Sequence, residues 1–80
     1  MPELVISAHA REQWVRRFRK LRRPGIMEKQ VAAAVRMGET GGSVYYQAPC
    51  GAVLVVEGDV LKTVLLGRYL SDALRKALRP

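Results

Sequence analysis

The chain has 80 residues, 49% apolar and 26% charged, a composition that suits one folded domain and is too apolar for general disorder. Fourteen Lys and Arg against seven Asp and Glu give a formal net charge of +7 and a pI of about 10.3, which favours nucleic acid, an anionic surface or an acidic protein as partner. Cys50 is the only cysteine and His9 the only histidine, so an internal disulfide and a conventional structural zinc site are both excluded, and no metal or cofactor is expected.

The opening, MPELVISAHA, lacks a basic region followed by a long apolar run. No stretch reaches the roughly 18 apolar residues of a membrane span. The expectation is a cytoplasmic chain folded as one domain over residues 1–80, small enough that a homodimer would help to stabilise it.

Leu4, Val5 and Ile6 follow Pro2 as a short apolar run, enough for an edge strand or an arm over the core. From about Ala8 to Arg22 the spacing predicts a helix. At about 100° per residue, Ala10, Trp14, Phe18 and Leu21 form one apolar stripe, with His9, Arg16, Lys20 and Arg23 opposite. Ser7 is its expected N-cap, and Pro24-Gly25 its stop. Arg11, Arg16, Arg17, Arg19, Lys20, Arg22 and Arg23 all fall in this stretch, half of the chain's cations.

Met27, Val31, Ala34 and Val35 predict a second helix from about Met27 to Met37, closed by Gly38, with Gly41-Gly42-Ser43 as a flexible joint. The pattern then turns to β. SVYYQA alternates, placing Val44, Tyr46 and Ala48 on one face and Tyr45 and Gln47 on the other. Pro49-Cys50-Gly51 supplies a turn, AVLVV a central strand, and Gly58-Asp59 a two-residue hairpin. In the returning strand, VLKTVLL, Leu61, Thr63 and Leu65 share one face, and Lys62, Val64 and Leu66 the other. Past Gly67, Leu70, Leu74 and Leu78 predict a terminal amphipathic helix, whose leucines serve either the core or a dimer seam. The expected fold is a two-layer α+β domain: two N-terminal helices, a three-stranded antiparallel meander over about 43–48, 52–57 and 60–66, and a C-terminal helix, with Leu4–Ile6 as an optional leading strand.

VISAHAREQW with Arg16 and Arg17, Gly25-Ile26 before a helix, VYYQAPCGAVLVV and LKTVLL together resemble the small DUF4258-type family over roughly residues 5 to 66. The FRKLRRP segment, Phe18 to Pro24, and the C-terminal helix depart from that family's pattern. The family is grouped with compact ribonuclease toxins similar to RelE and barnase. The resemblance implies RNA as substrate, metal-independent cleavage, and a site lined by the matching threonine, Thr63; an acidic protein or an antitoxin stands beside RNA as a candidate partner.

Metal-free RNA cleavage needs a proton acceptor, a proton donor and cations for the charge gathering on phosphorus. His9 is the candidate acceptor and Arg16 with Lys20 the phosphate clamp. Tyr45 can donate a proton or stack a base. Plainer roles stand beside these: His9 at a helix start, Tyr45 and Tyr46 as strand formers, Thr63 as β-branched filler, Cys50 as a turn residue. The basic run can also be a purely phosphate-binding face. Function therefore divides between an RNA-binding ribonuclease and a non-catalytic protein, either a nucleic-acid accessory factor or a phage-type or mobile-element inhibitor of a host protein. Attachment of the amphipathic basic helix to a membrane surface is a weaker third reading, because the core has first claim on Trp14 and Phe18.

Overall fold

In the computed structural model, which describes residues 4–21, 23, 25–67 and 72–78, Ser7 ties the first helix to the sheet. Its hydroxyl accepts the Ala10 N–H at 3.1 Å, capping α1 (Ala8–Arg17), and donates to the Lys62 carbonyl at 3.2 Å. Just before it, β1 (Val5–Ile6) runs parallel to β5 (Val60–Leu65), with the Val5 N–H donating to Asp59 O at 2.8 Å and the Ser7 N–H to Leu61 O at 3.2 Å. The leading apolar run is thus a true strand, joined to the end of the sheet sequence.

The sheet is five-stranded and mixed, in the order β1-β5-β4-β3-β2, where β2 is Val35–Thr40, β3 Ser43–Gln47 and β4 Val53–Glu57. This corrects the three-stranded meander expected from the sequence. The difference lies mainly in residues 35–40, the first three of which are assigned above to the end of a helix closed by Gly38. The second helix, α2, spans only Ile26–Ala32, and Val35–Thr40 pairs antiparallel with Ser43–Gln47. Gly41 and Gly42 have φ of 60° and 81°, both positive as a type I′ hairpin turn requires, so they are the tip of a β-ribbon and no joint. The helical period of Met27, Val31 and Val35 was real but local, and pairing with β3 overrides it: Val31 is 6% exposed, Val35 70%.

The other two hairpins follow their turn chemistry. Ala48 accepts the Gly51 N–H at 2.9 Å across Pro49-Cys50, with Gly51 at φ 94° relaxing the exit. At Gly58-Asp59 only Gly58 has positive φ, the signature of a type II′ turn between Glu57 and Val60.

A bulge decides which side chains face inward. Val55 pairs with Thr63 but Val56 with Leu61, so Lys62 is the extra residue and Leu61 and Val64, three apart, share the core face. The strict alternation expected above, with Leu61 and Thr63 together, is therefore corrected. The core face carries Leu54, Val56, Leu61 and Val64, covered by Ala10 and Trp14 of α1 and by Met27 and Val31 of α2. Tyr45, Val55 and Thr63 form a row on the opposite face, all half-buried. The C-terminal helix, α3, spans Asp72–Ala77, with Leu74 half-buried. Leu70 of the expected leucine stripe lies outside the described residues. Among the described residues, no helix is long and apolar enough to cross a membrane.

Truncating a buried valine removes two methyl groups from the core, at a cost of about 1.5–2.5 kcal/mol. Val31→Ala should show a loss of that size in urea unfolding, whereas Val35→Ala should stay within about 0.5 kcal/mol of the parent. Equal losses would mean that the helix continues through Val35.

Candidate nucleic-acid interface

The basic segment owes its shape to Trp14. The indole is 2% exposed, its ring stacks on Phe18 with centroids 4.7 Å apart, and its Nε1–H donates to the Leu21 carbonyl at 2.8 Å. That bond folds the chain back past the end of α1. The helix stops at Arg17, capped by the Phe18 N–H on Trp14 O at 2.8 Å, and Arg19–Leu21 form one 3₁₀ turn. The helix predicted to Arg22 is shorter for an electrostatic reason as well. Continued, it would bring Arg16, Arg19, Lys20 and Arg23 to spacings of three and four residues with no acid among them. The inward stripe nevertheless holds, with Ala10 and Trp14 buried and Phe18 and Leu21 packed against them.

Shortening the helix separates the cations into two sets. Those on α1 have carboxylate partners: Arg11 to Glu28 at 2.8 Å and Arg16 to Glu12 at 3.7 Å. Arg17 is held by its Nε–H on Gln13 Oε1 at 2.9 Å. Arg19, Lys20 and Arg23, beyond the helix, are exposed, and no described carboxylate lies within ion-pair distance of them. Arg22 lies outside the described residues. Within the basic segment, the described cations without a described carboxylate partner thus sit on the turn and the segment after it, away from the outer face of α1.

Two open clefts meet at Arg17 and Phe18. One, of about 430 Å³, is bounded by Arg16, Arg19, Lys20 and Leu21; the other, of about 490 Å³, lies toward Gln47, Gly51, Gly67 and Arg75. The wall of the second is a close backbone approach. A Cβ on Gly67 would come within 2.8 Å of the Gly51 carbonyl oxygen, which only glycine avoids. The Cys50 turn that forms this wall is fixed from α2, since the Cys50 N–H donates to Gln30 Oε1 at 2.9 Å.

The expected catalytic set does not converge. His9 and Arg16 share a face of α1, but seven residues of helix separate them by about 10 Å along the axis, and both are exposed. Lys20 stands beyond the helix end. Tyr45 and Thr63 flank Val55 on the sheet face turned away from α1, so the sheet itself divides them from His9, Arg16 and Lys20. Among the described residues no group of His, Cys, Asp or Glu is placed to hold a metal ion. Sequence reasoning missed Gln47, Gly67 and Arg75. Their only signal was indirect: Gln47 ends β3 just before the Pro49-Cys50-Gly51 turn, while Gly67, past β5, and Arg75, within α3, reach the cleft only through the fold.

Glu28 has a displaced equilibrium. The Arg11 guanidinium holds its carboxyl below the usual range, assisted by the backbone N–H of Glu28 itself and, more weakly, of Gly25, with slight desolvation acting the other way. Compared with protein-family models, curated proteins and solved structures, the chain matches none.

Two measurements check this geometry. Trp14→Phe keeps a ring in the core but strips the Leu21 carbonyl of its donor; it should cost about 1–3 kcal/mol and speed amide exchange at Leu21. Unchanged exchange there would mean that the indole does not pin the turn. A carboxyl with a depressed folded pKa stabilises above its unfolded pKa and loses that contribution as pH falls through the folded value. Glu28→Gln should therefore be less stable than the parent at neutral pH, by under about 1 kcal/mol because the pair is half-exposed. The gap should narrow as pH falls below the ordinary glutamate range and close once pH has passed the lowered folded value.

Proposed function

We propose that the protein binds nucleic acid, RNA in the first place, through the cationic turn that follows its first helix. The supporting observation is the run from Arg16 to Arg23, six cations with no acid, in which Arg19, Lys20 and Arg23 are exposed and lack a carboxylate partner among the described residues. Exposed like charges packed this closely repel one another, and a polyanion that displaces its own counterions relieves the repulsion. The resemblance noted in the sequence ranks RNA ahead of DNA.

Binding without cleavage is the reading we favour. A phosphate held at Arg19 and Lys20 lies on the α1 side of the sheet, whereas Tyr45 and Thr63 belong to the other face, and His9 stands two helical turns from Arg16. The protein then acts as an accessory factor whose effect comes from occupying its target.

Binding strength should fall steeply with salt, with log K linear in log salt concentration. Replacing Arg19 and Lys20 by alanine together should flatten that slope by about 1–2 units, while Arg11→Ala, whose guanidinium is engaged by Glu28, should leave it nearly unchanged. RNA incubated with the purified protein in chelator should stay intact. Degradation that disappears in His9→Ala would restore the ribonuclease reading, and RNA binding that is weak and insensitive to salt would favour an acidic protein partner.

A further inference from the structure

We propose that the two clefts meeting at Phe18 form one groove for an unpaired nucleic-acid strand, with a single base lodged between Phe18, Gln47 and Arg75. The proposal rests on the nucleic-acid reading above and adds the form of the ligand.

The first reason is shape. Duplex recognition through the major groove needs a projecting helix or ribbon bearing the contacts. Among the described residues the longest helix, α1, carries Glu12 on its exposed side with Arg11 and Arg16 engaged by carboxylates, and the β2–β3 ribbon has a single cation, Arg36, itself paired with Glu39. Arg19 and Lys20 instead border a hollow. A rigid duplex would touch only its rim.

The second reason is the chemistry of the lining. Single strands are held by cations that track the backbone together with an aromatic ring or guanidinium plane against which a base can lie. Here Phe18 borders both clefts, braced from behind by Trp14 at 4.7 Å, with Arg19 and Lys20 on one side and Arg75 on the other. Gln47 is exposed at the far cleft, and its amide both donates and accepts, as the edge of an unpaired base requires. The far cleft, about 490 Å³, is open to solvent and has room for one base to lie along it. The close Gly51–Gly67 backbone approach forms part of its wall, beside Cys50 and Leu66.

The test compares a short labelled mixed-sequence RNA strand with the same strand annealed to its complement, by fluorescence anisotropy at physiological ionic strength. The strand should bind at least about tenfold more tightly than the duplex, and saturation should alter the emission of Trp14, the chain's only tryptophan. Phe18→Leu, which keeps an apolar side chain against Trp14, should lower affinity for the strand by about 5- to 100-fold, the range that removal of one base–aromatic stack produces. Gln47→Ala and Arg75→Ala alter exposed side chains outside the core, so they test the groove even if the Phe18 variant unfolds. Each should weaken strand binding and leave duplex binding unchanged. Equal affinity for strand and duplex, or strand affinity indifferent to both exposed-residue variants, would overturn the groove while leaving nucleic-acid binding intact. Failure to bind either form would remove both proposals.

Discussion

The indole of Trp14 is the interaction on which the rest of this small protein depends. Its burial against the sheet anchors α1, its ring stacks on Phe18 at the helix end, and its N–H bond to the Leu21 carbonyl turns the chain back. The same side chain therefore belongs to the core and shapes the basic turn. In a chain of this size few residues are available for the core, and combining the two tasks in one aromatic couples stability directly to the shape of the charged surface.

The sheet imposes a second constraint. The bulge in β5 shifts its inward residues so that Leu61 and Val64 both join the core face under α1 and α2. The edge strand β2, six residues long, is protected from pairing with other chains by its own bulge and by the Arg36–Glu39 ion pair at 3.5 Å. The other edge, β1, is only two residues long. Each edge is thus short or interrupted, which suits a protein of high apolar content in its strands.

Charge compensation governs where function can reside. Glu28 sits in the first turn of α2, where the helix dipole and the nearby N–H groups favour a carboxylate, and from there it reaches Arg11. Glu12 approaches Arg16 along the same helix. Two acids thereby remove the outer face of α1 from contention and leave the cations of the following turn to act. That redistribution also separates the candidate phosphate contacts from Tyr45 and Thr63, which is why binding carries more support than cleavage.

Much of the local structure was legible in the sequence: Ser7 as a cap, the inward stripe from Ala10 to Leu21, the strands 53–57 and 60–65, and the turns at Pro49-Cys50-Gly51 and Gly58-Asp59. These depend on side-chain period and turn chemistry, which act over a few residues. Other features required partners distant along the chain. Val35–Thr40 carries a helical spacing and becomes a strand only because Ser43–Gln47 pairs with it, although the two adjacent glycines were a hairpin signal in themselves. The parallel pairing of Val5–Ile6 with Val60–Leu65 has no local trace, and Lys62 is a bulge only in relation to Val55 and Val56. The concentration of positive charge could be counted from composition. Which cations are neutralised, and which border the hollow beside Phe18, was decided by the tertiary fold, because carboxylates and backbone turns far apart in sequence meet there.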